Sequence, residues 1–248
     1  MRAMNPTEQA DLIEQQMIQD LEEFVTVKSV IYSSGERDPR RPVPRPPDSG
    51  KRYLMGHDPR LPRMPDKPTI FDYFTYRFGP TQHLLQSARL ARKNGADEKI
   101  VLACLLHDTV QEIMRSDHGY WGAQLYEPYV PERTSFAIRY HQALRFYADT
   151  EAGYEYPDLY RRVFGIDYVP SQHVQDAYKF ARAHRWYDAP REVTVSDLYA
   201  FDPDAVVGMD PFVDLIGRHV KQPKEGLGND NSPVAHMWRT IANPDAPL

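Results

Sequence analysis

Apolar residues recur at three- and four-residue intervals along most of this chain, a period that predicts helices. Over 6–27 the positions Leu12, Ile13, Met17, Ile18, Leu21 and Phe24 form one such stripe. The pattern breaks over 33–68, where nine prolines alternate with nine Lys/Arg and five acidic residues. Proline removes amide donors and clashes with the preceding turn, so an extended, solvated connector is expected there, with a basic lid or docking arm as the functional alternative. Helical periodicity resumes at Thr69. Phe71, Tyr73, Phe74 and Phe78 lead to Pro80, which suits the first turn of a helix reaching about residue 93. Asn94-Gly95 stops that helix and a second follows over about 98–109. Its stretch 100–106 is almost wholly apolar and includes Cys104, which marks a central, buried helix. Further helices are predicted over about 118–126, 131–148 and 171–187, the last stopped by Pro190. One more is expected near 211–220, inside a loop-rich tail that follows Asp202. Alternating runs are scarce and no repeat is visible. The pattern predicts an all-α bundle over 69–248 with a C-terminal extension, preceded by a helix and a Pro/Arg-rich arm over 1–68.

Composition narrows the possibilities. A chain of 248 residues, 41% hydrophobic and 26% charged, suits a soluble globular protein with one large domain or two small ones. A net charge of −5 argues against a nucleic-acid binder held by global charge. No run of about 18 apolar residues predicts a transmembrane helix, and the first residues lack the apolar core of a signal peptide. Neither nucleic acid nor membrane is an expected partner, and a cytoplasmic location is the expectation. The single cysteine, Cys104, excludes an intrachain disulfide and a cysteine-based zinc site.

Candidate chemistry lies in the histidines. His107-Asp108 ends the buried helix directly after Leu105-Leu106, and His83 lies near the start of the helix before it. Two helices joined by Asn94-Gly95 run antiparallel, which brings the start of one beside the end of the other. His118 opens the next helix, His141 lies on a face with Ala137, Ile138 and Leu144, and Asp188 follows the later long helix. Together these six side chains can serve two metal ions, with Asp108 as a bridge because a carboxylate has two oxygens. The pair His57-Asp58 has no apolar framing and is read as a chance match. His173, His184, His219 and His236 are expected to be structural or exposed. Tyr73, Tyr76 and Tyr140 are expected to be core residues more than shields of a site.

In order, Gln82-His83-Leu84-Leu85-Gln86, Ala103-Cys104-Leu105-Leu106-His107-Asp108, His118, Gly122-Ala123, Pro128-Tyr129 and Arg139-Tyr140-His141 make a specific set. This set resembles the HD-domain superfamily of metal-dependent helical proteins. It is most similar to the branch containing myo-inositol oxygenase and the phosphonate-cleaving oxygenases, whose two-iron sites take a final aspartate late in the bundle. The similarity spans about 110 residues, from Thr81 to Asp188. It implies His83, His107, Asp108, His118, His141 and Asp188 as ligands. Relatives often carry a lysine where Gln111 stands, and in the phosphonate cleavers a phosphonate-holding lysine where Arg145 stands. Arg145 keeps the charge but presents a planar fork, which is not interchangeable with an ammonium.

The implied activity is that of a di-iron oxygenase, using O2 at a mixed-valent Fe(II)/Fe(III) pair to cleave or oxidise a small hydroxylated, anionic substrate, phosphonates included. Asp108, Arg145 and Arg185 are its candidate catalytic residues. His and carboxylate ligands also suit Mn, Co or Zn. The alternative is a metal-dependent phosphohydrolase acting on a phosphate ester or nucleotide, in which a metal-activated water attacks phosphorus. The chain is expected to act as a monomer or homodimer.

Overall fold

The computed structural model describes residues 62–243 except 112, 166 and 203. The helix expected over 6–27, most of the Pro/Arg-rich arm and the pair His57-Asp58 lie outside the described residues.

Among the described residues, ten α-helices and one 3-10 turn account for the regular structure, and the only β pairing is an isolated bridge between Asp149 and Tyr154. The all-α expectation holds. In chain order the helices are α1 (Ile70–Tyr76), α2 (Thr81–Lys93), α3 (Glu98–Leu106), α4 (His118–Tyr126) and α5 (Glu132–Leu144). They are followed by α6 (Asp158–Phe164), α7 (Gln172–Ala183), α8 (Asp188–Leu198), α9 (Val213–His219) and α10 (Ala235–Ala242).

Each boundary has a local cause. Thr69 and Asp72 close a capping box on α1, so orphan amides of its first turn are satisfied by side chains. Gly95, at φ +81°, takes the left-handed conformation that turns the chain from α2 into α3. Asp97 then accepts from the Lys99 amide and caps α3. All seven residues from Ile100 to Leu106 are buried. With no polar face, α3 can only be the central helix. Helices α2, α5 and α8 surround it, α8 packs on both α2 and α5, and α4 lies against α5.

The contact between α4 and α5 is unusually close. A Cβ at Gly119 would stand 2.9 Å from the Ile138 carbonyl oxygen and 3.3 Å from His141 Cε1. One turn on, a Cβ at Gly122 would meet Ile138 Cγ2 at 3.3 Å. Two glycines on one face therefore allow the two backbones to approach.

Three features depart from the expected pattern, the first being α6, where no helix was expected. Pro190 does not end a helix: α7 stops at Ala183, and Pro190 sits in the first turn of α8, where a missing N–H costs nothing. After Asp202, the chain also holds α10, whose Trp238 is fully buried against Tyr73, Tyr126 and Tyr129. Arg77 reaches the Ile241 and Ala242 carbonyls and ties the end of α10 to α1.

Candidate metal centre

Five helical segments deliver six acid and imidazole groups to one buried point. His83 is the third residue of α2, and His107 and Asp108 follow α3 directly. His118 is the first residue of α4, His141 lies in the last turn of α5, and Asp197 is next to last in α8. His107, His141, Asp108 and Asp197 are at most 2% exposed. The ligand-type atoms fall into two sets, His83/His107/Asp108/Asp197 and Asp108/His118/His141, each within 4.8 Å of one another.

Asp108 belongs to both. Its Oδ1 lies 3.1 Å from His118 Nε2, 3.4 Å from His141 Nε2 and 3.6 Å from His107 Nε2. Its Oδ2 lies 3.7 Å from His83 Nε2. Asp197 Oδ1 completes the first set, 3.1 Å from His83 Nε2 and 3.7 Å from His107 Nε2.

The four imidazoles share one orientation device. Each Nδ1–H donates to a main-chain carbonyl: His83 to Ala200 at 3.0 Å, His107 to Cys104 at 2.9 Å, His118 to Arg115 at 3.0 Å and His141 to Ile138 at 2.6 Å. A carbonyl can only accept, so these bonds place the proton on Nδ1 and the lone pair on Nε2. The Nε2 atoms then meet in pairs, His83 with His107 at 3.3 Å and His118 with His141 at 3.2 Å. Two lone pairs at that distance repel unless a cation lies between or beside them. Asp108 Oδ1 and both Asp197 oxygens are buried and accept no well-aligned hydrogen bond. Buried carboxylate oxygens of that kind are costly without a partner. This donor set fits metal ions.

The field of the cluster points the same way. Burial would raise the Asp108 pKa, but His107, His118 and His141 hold it well below the usual carboxylate range. Burial opposes ionisation of Asp197 too, and is outweighed by Arg145 first and by His107 and His83 after it. Burial lowers His141 to about 4, so its imidazole is neutral at neutral pH, as a ligand must be. His83 goes the other way: burial lowers its pKa, yet contact with Asp197 and the nearby Asp108 raise it overall. The two carboxylates draw a positive charge, proton or metal, to this edge of the cluster.

Five of the six sequence-derived ligand candidates converge here. Asp188 does not. Its side chain is 57% exposed and forms an ion pair with Arg133 at the surface. Nine residues along the same helix, about 13 Å further on, Asp197 takes the position expected of a late aspartate. The error traces to Pro190: read as a stop, it hid α8. The signal was present in Ala189, Val193, Ser196 and Asp197, which all lie on the buried side of α8.

The candidate catalytic residues separate as well. Arg145 stands at the cluster, with Nε 3.3 Å from Asp197 Oδ2. Arg185 is exposed and lies over the Trp186 ring at 4.7 Å. Gln111 is half-buried in the turn after Asp108. Tyr73 is core, Tyr76 is 38% exposed, and Tyr140 packs on Phe136 and Phe180. The tyrosines beside Arg145 are Tyr154, whose hydroxyl donates to the Arg145 carbonyl at 2.8 Å, and Tyr160, whose ring lies under its guanidinium. Exposed Phe201 stacks on His83 at 4.3 Å. His173, His184, His219 and His236 pair with Asp117, Phe136, Glu98 and Arg239 away from the cluster.

No helix among the described residues is long and apolar enough to cross a membrane. No family model and no curated protein matches the chain. The helical architecture and the buried four-histidine, two-aspartate cluster are compatible with a metal site of the HD type.

Proposed function

We propose that the chain is an HD-type di-iron oxygenase that uses O2 to oxidise or cleave a small hydroxylated substrate bearing an anionic group. The observation that carries this reading is the asymmetry of the cluster about Asp108. One half has four protein donors, His83, His107, Asp197 and the shared Asp108, and the other has three, His118, His141 and Asp108. Two histidines and one carboxylate, with positions left open, form the donor set of non-haem iron oxygenases. A two-iron, mixed-valent pair held by these residues would supply oxygen activation and a Lewis-acid contact to a substrate hydroxyl.

The chain's own residues have defined tasks. Asp108 ties the two halves together through its two oxygens. The four carbonyl acceptors fix the imidazoles so that no reorientation is needed on metal loading. Arg145 balances Asp197 and leaves the cluster, once loaded with cations, with an excess of positive charge that favours an anion. The apolar shell of α3 keeps water away from the inner side.

A phosphohydrolase is the second reading, favoured by Arg145, because a guanidinium beside a two-metal site suits a phosphate ester equally well. One experiment separates the two. The protein is loaded anaerobically with iron, half-oxidised, and examined by low-temperature EPR with hydroxylated phosphonates and hydroxy acids. A coupled mixed-valent signal that a substrate perturbs, with substrate-dependent O2 consumption, is expected. Tight retention of redox-inert metal with turnover of a generic phosphate ester, and no such signal, would replace the oxygenase with the hydrolase.

A further inference from the structure

The four imidazoles are not oriented by equivalent means. For His107, His118 and His141 the accepting carbonyl belongs to the residue three places earlier, Cys104, Arg115 and Ile138, so each ring is set by its own turn of backbone. His83 is different. Its Nδ1–H donates to the carbonyl of Ala200, 117 residues away in the connection after α8. The next residue, Phe201, stacks on the imidazole at 4.3 Å with 18° between the ring planes. One edge and one face of the His83 ring are thus held by chain that has no regular structure of its own.

Such a connection can orient a ligand only if it is itself held, and the two glutamines that flank His83 hold it. Gln86, buried, accepts from the Asp202 amide at 3.0 Å and donates from Nε2 to the Asp202 and Ala205 carbonyls at 2.8 and 2.9 Å. Gln82 accepts from the Val207 amide at 2.9 Å and donates to the Val207 carbonyl at 3.2 Å. Each side-chain amide offers its oxygen to a main-chain N–H and its nitrogen to a C=O, as a peptide group of a neighbouring strand would. Positions 82 and 86 lie one turn apart on one face of α2. The run Gln82-His83-Leu84-Leu85-Gln86 therefore carries a metal-type ligand together with both supports of the segment that orients it.

We propose that Gln82 and Gln86 are positioning residues for the metal centre: they hold Ala200 and Phe201 against His83 and so present its Nε2 to the ion of the four-donor half. The other three imidazoles, set by their own backbone, need no such support. The inference rests on the metal-centre reading above and is the same whether the centre serves an oxygenase or a hydrolase. The glutamines act on one ion of the two, and they act through His83.

The test uses the full chain loaded with two equivalents of Co(II) and titrated with a chelator, the retained metal being read by elemental analysis. A carboxylate in place of either amide keeps the acceptor, loses the donor and sets an anion against main-chain carbonyls. Gln86→Glu is expected to weaken one ion about tenfold or more, the scale for loss of an outer partner of a ligating histidine, and to leave the other ion at its original affinity. Gln82→Glu, at an exposed position, should act in the same direction and decides the matter if Gln86→Glu does not fold. In His118→Ala both substitutions should still weaken the ion of the four-donor half. In His83→Ala neither should weaken metal binding further. Unchanged affinity for both ions, equal weakening of both, or an effect that persists in His83→Ala would overturn the positioning role. Metal content of the unaltered chain is read separately: fewer than two ions overturns the metal-centre reading, and the positioning role falls with it.

Discussion

His118 and His141 face each other Nε2 to Nε2 at 3.2 Å across a helix contact that has no room for a side chain at Gly119. The three-donor half of the cluster thus depends on the absence of a Cβ. Gly119→Ala has to displace α4 from the Ile138 and Arg139 carbonyls, which cannot move independently of α5. Overpacking of this kind costs about 1–3 kcal/mol. Metal bound per chain, measured by elemental analysis, should fall by about one ion in Gly119→Ala while the helical circular dichroism stays near that of the unaltered protein. Full metal content in that variant would show that the contact is not needed for the site.

Asp197 and Asp188 give opposite expectations although they share one helix. Asp197→Asn should lower the metal content and release the remaining metal to a chelator at lower concentration. Asp188→Asn removes an exposed ion pair, worth about 0–1 kcal/mol, and should leave metal content unchanged. His83→Ala and His118→Ala should each weaken binding in one half only. Equal effects of Asp197→Asn and Asp188→Asn on metal content would refute the assignment.

Arg145 provides a test of linkage between charge balance and metal. In the metal-free protein its guanidinium is the cation beside fully buried Asp197. Removing one partner of a buried ion pair destabilises by about 3–5 kcal/mol. Arg145→Ala should therefore lower the stability of metal-free protein markedly in urea titrations, and metal loading should recover most of the loss. A variant equally destabilised with and without metal would mean that Arg145 acts through packing alone.

Asp149 gives the pH response of a region away from the metal. The Tyr187 hydroxyl donates to it, and with the Ala152 amide, Arg191 and Arg182 it holds the carboxyl below its usual value against the opposing effect of burial. A carboxylate with a depressed folded pKa contributes stability fully above its unfolded value, near 3.9, and loses it as pH falls through the folded value. Unfolding titrations should show stability declining below about pH 4, and Tyr187→Phe should make that decline shallower. An identical acid slope in the variant would remove Asp149 as its source.

Much of the fold can be read from the chain before any coordinates. The 3.6-residue period, Pro80 at the start of α2, Gly95 after it and the apolar run of α3 act within a few residues, so their outcome is local. Five of the six cluster residues were accessible in the same way, because His83, His107 and Asp108 lie on two helices joined by a single turn, and His118 and His141 open and close the next two. Asp188 failed at Pro190. One proline is compatible with the end of one helix and with the first turn of another, and nothing local to residues 184–190 decides between them.

Arg145 shows the same division. Its spacing from His141 places both on one side of α5, which the sequence states without a structure. That its Nε meets Asp197, and that Tyr160 lies under it, depends on how α6 and α8 return to the end of α5, 13 residues or more along the chain. Helix type, helix order and the identity of most metal-competent side chains were thus determined by residue pattern, since hydrogen bonding and capping are settled within one turn. Which carboxylate completes the cluster, which tyrosine faces the arginine, and how near α4 comes to α5 were decided by tertiary packing. Contacts between distant segments depend on the volume available at residues such as Gly119 and Gly122, and no local pattern encodes that volume.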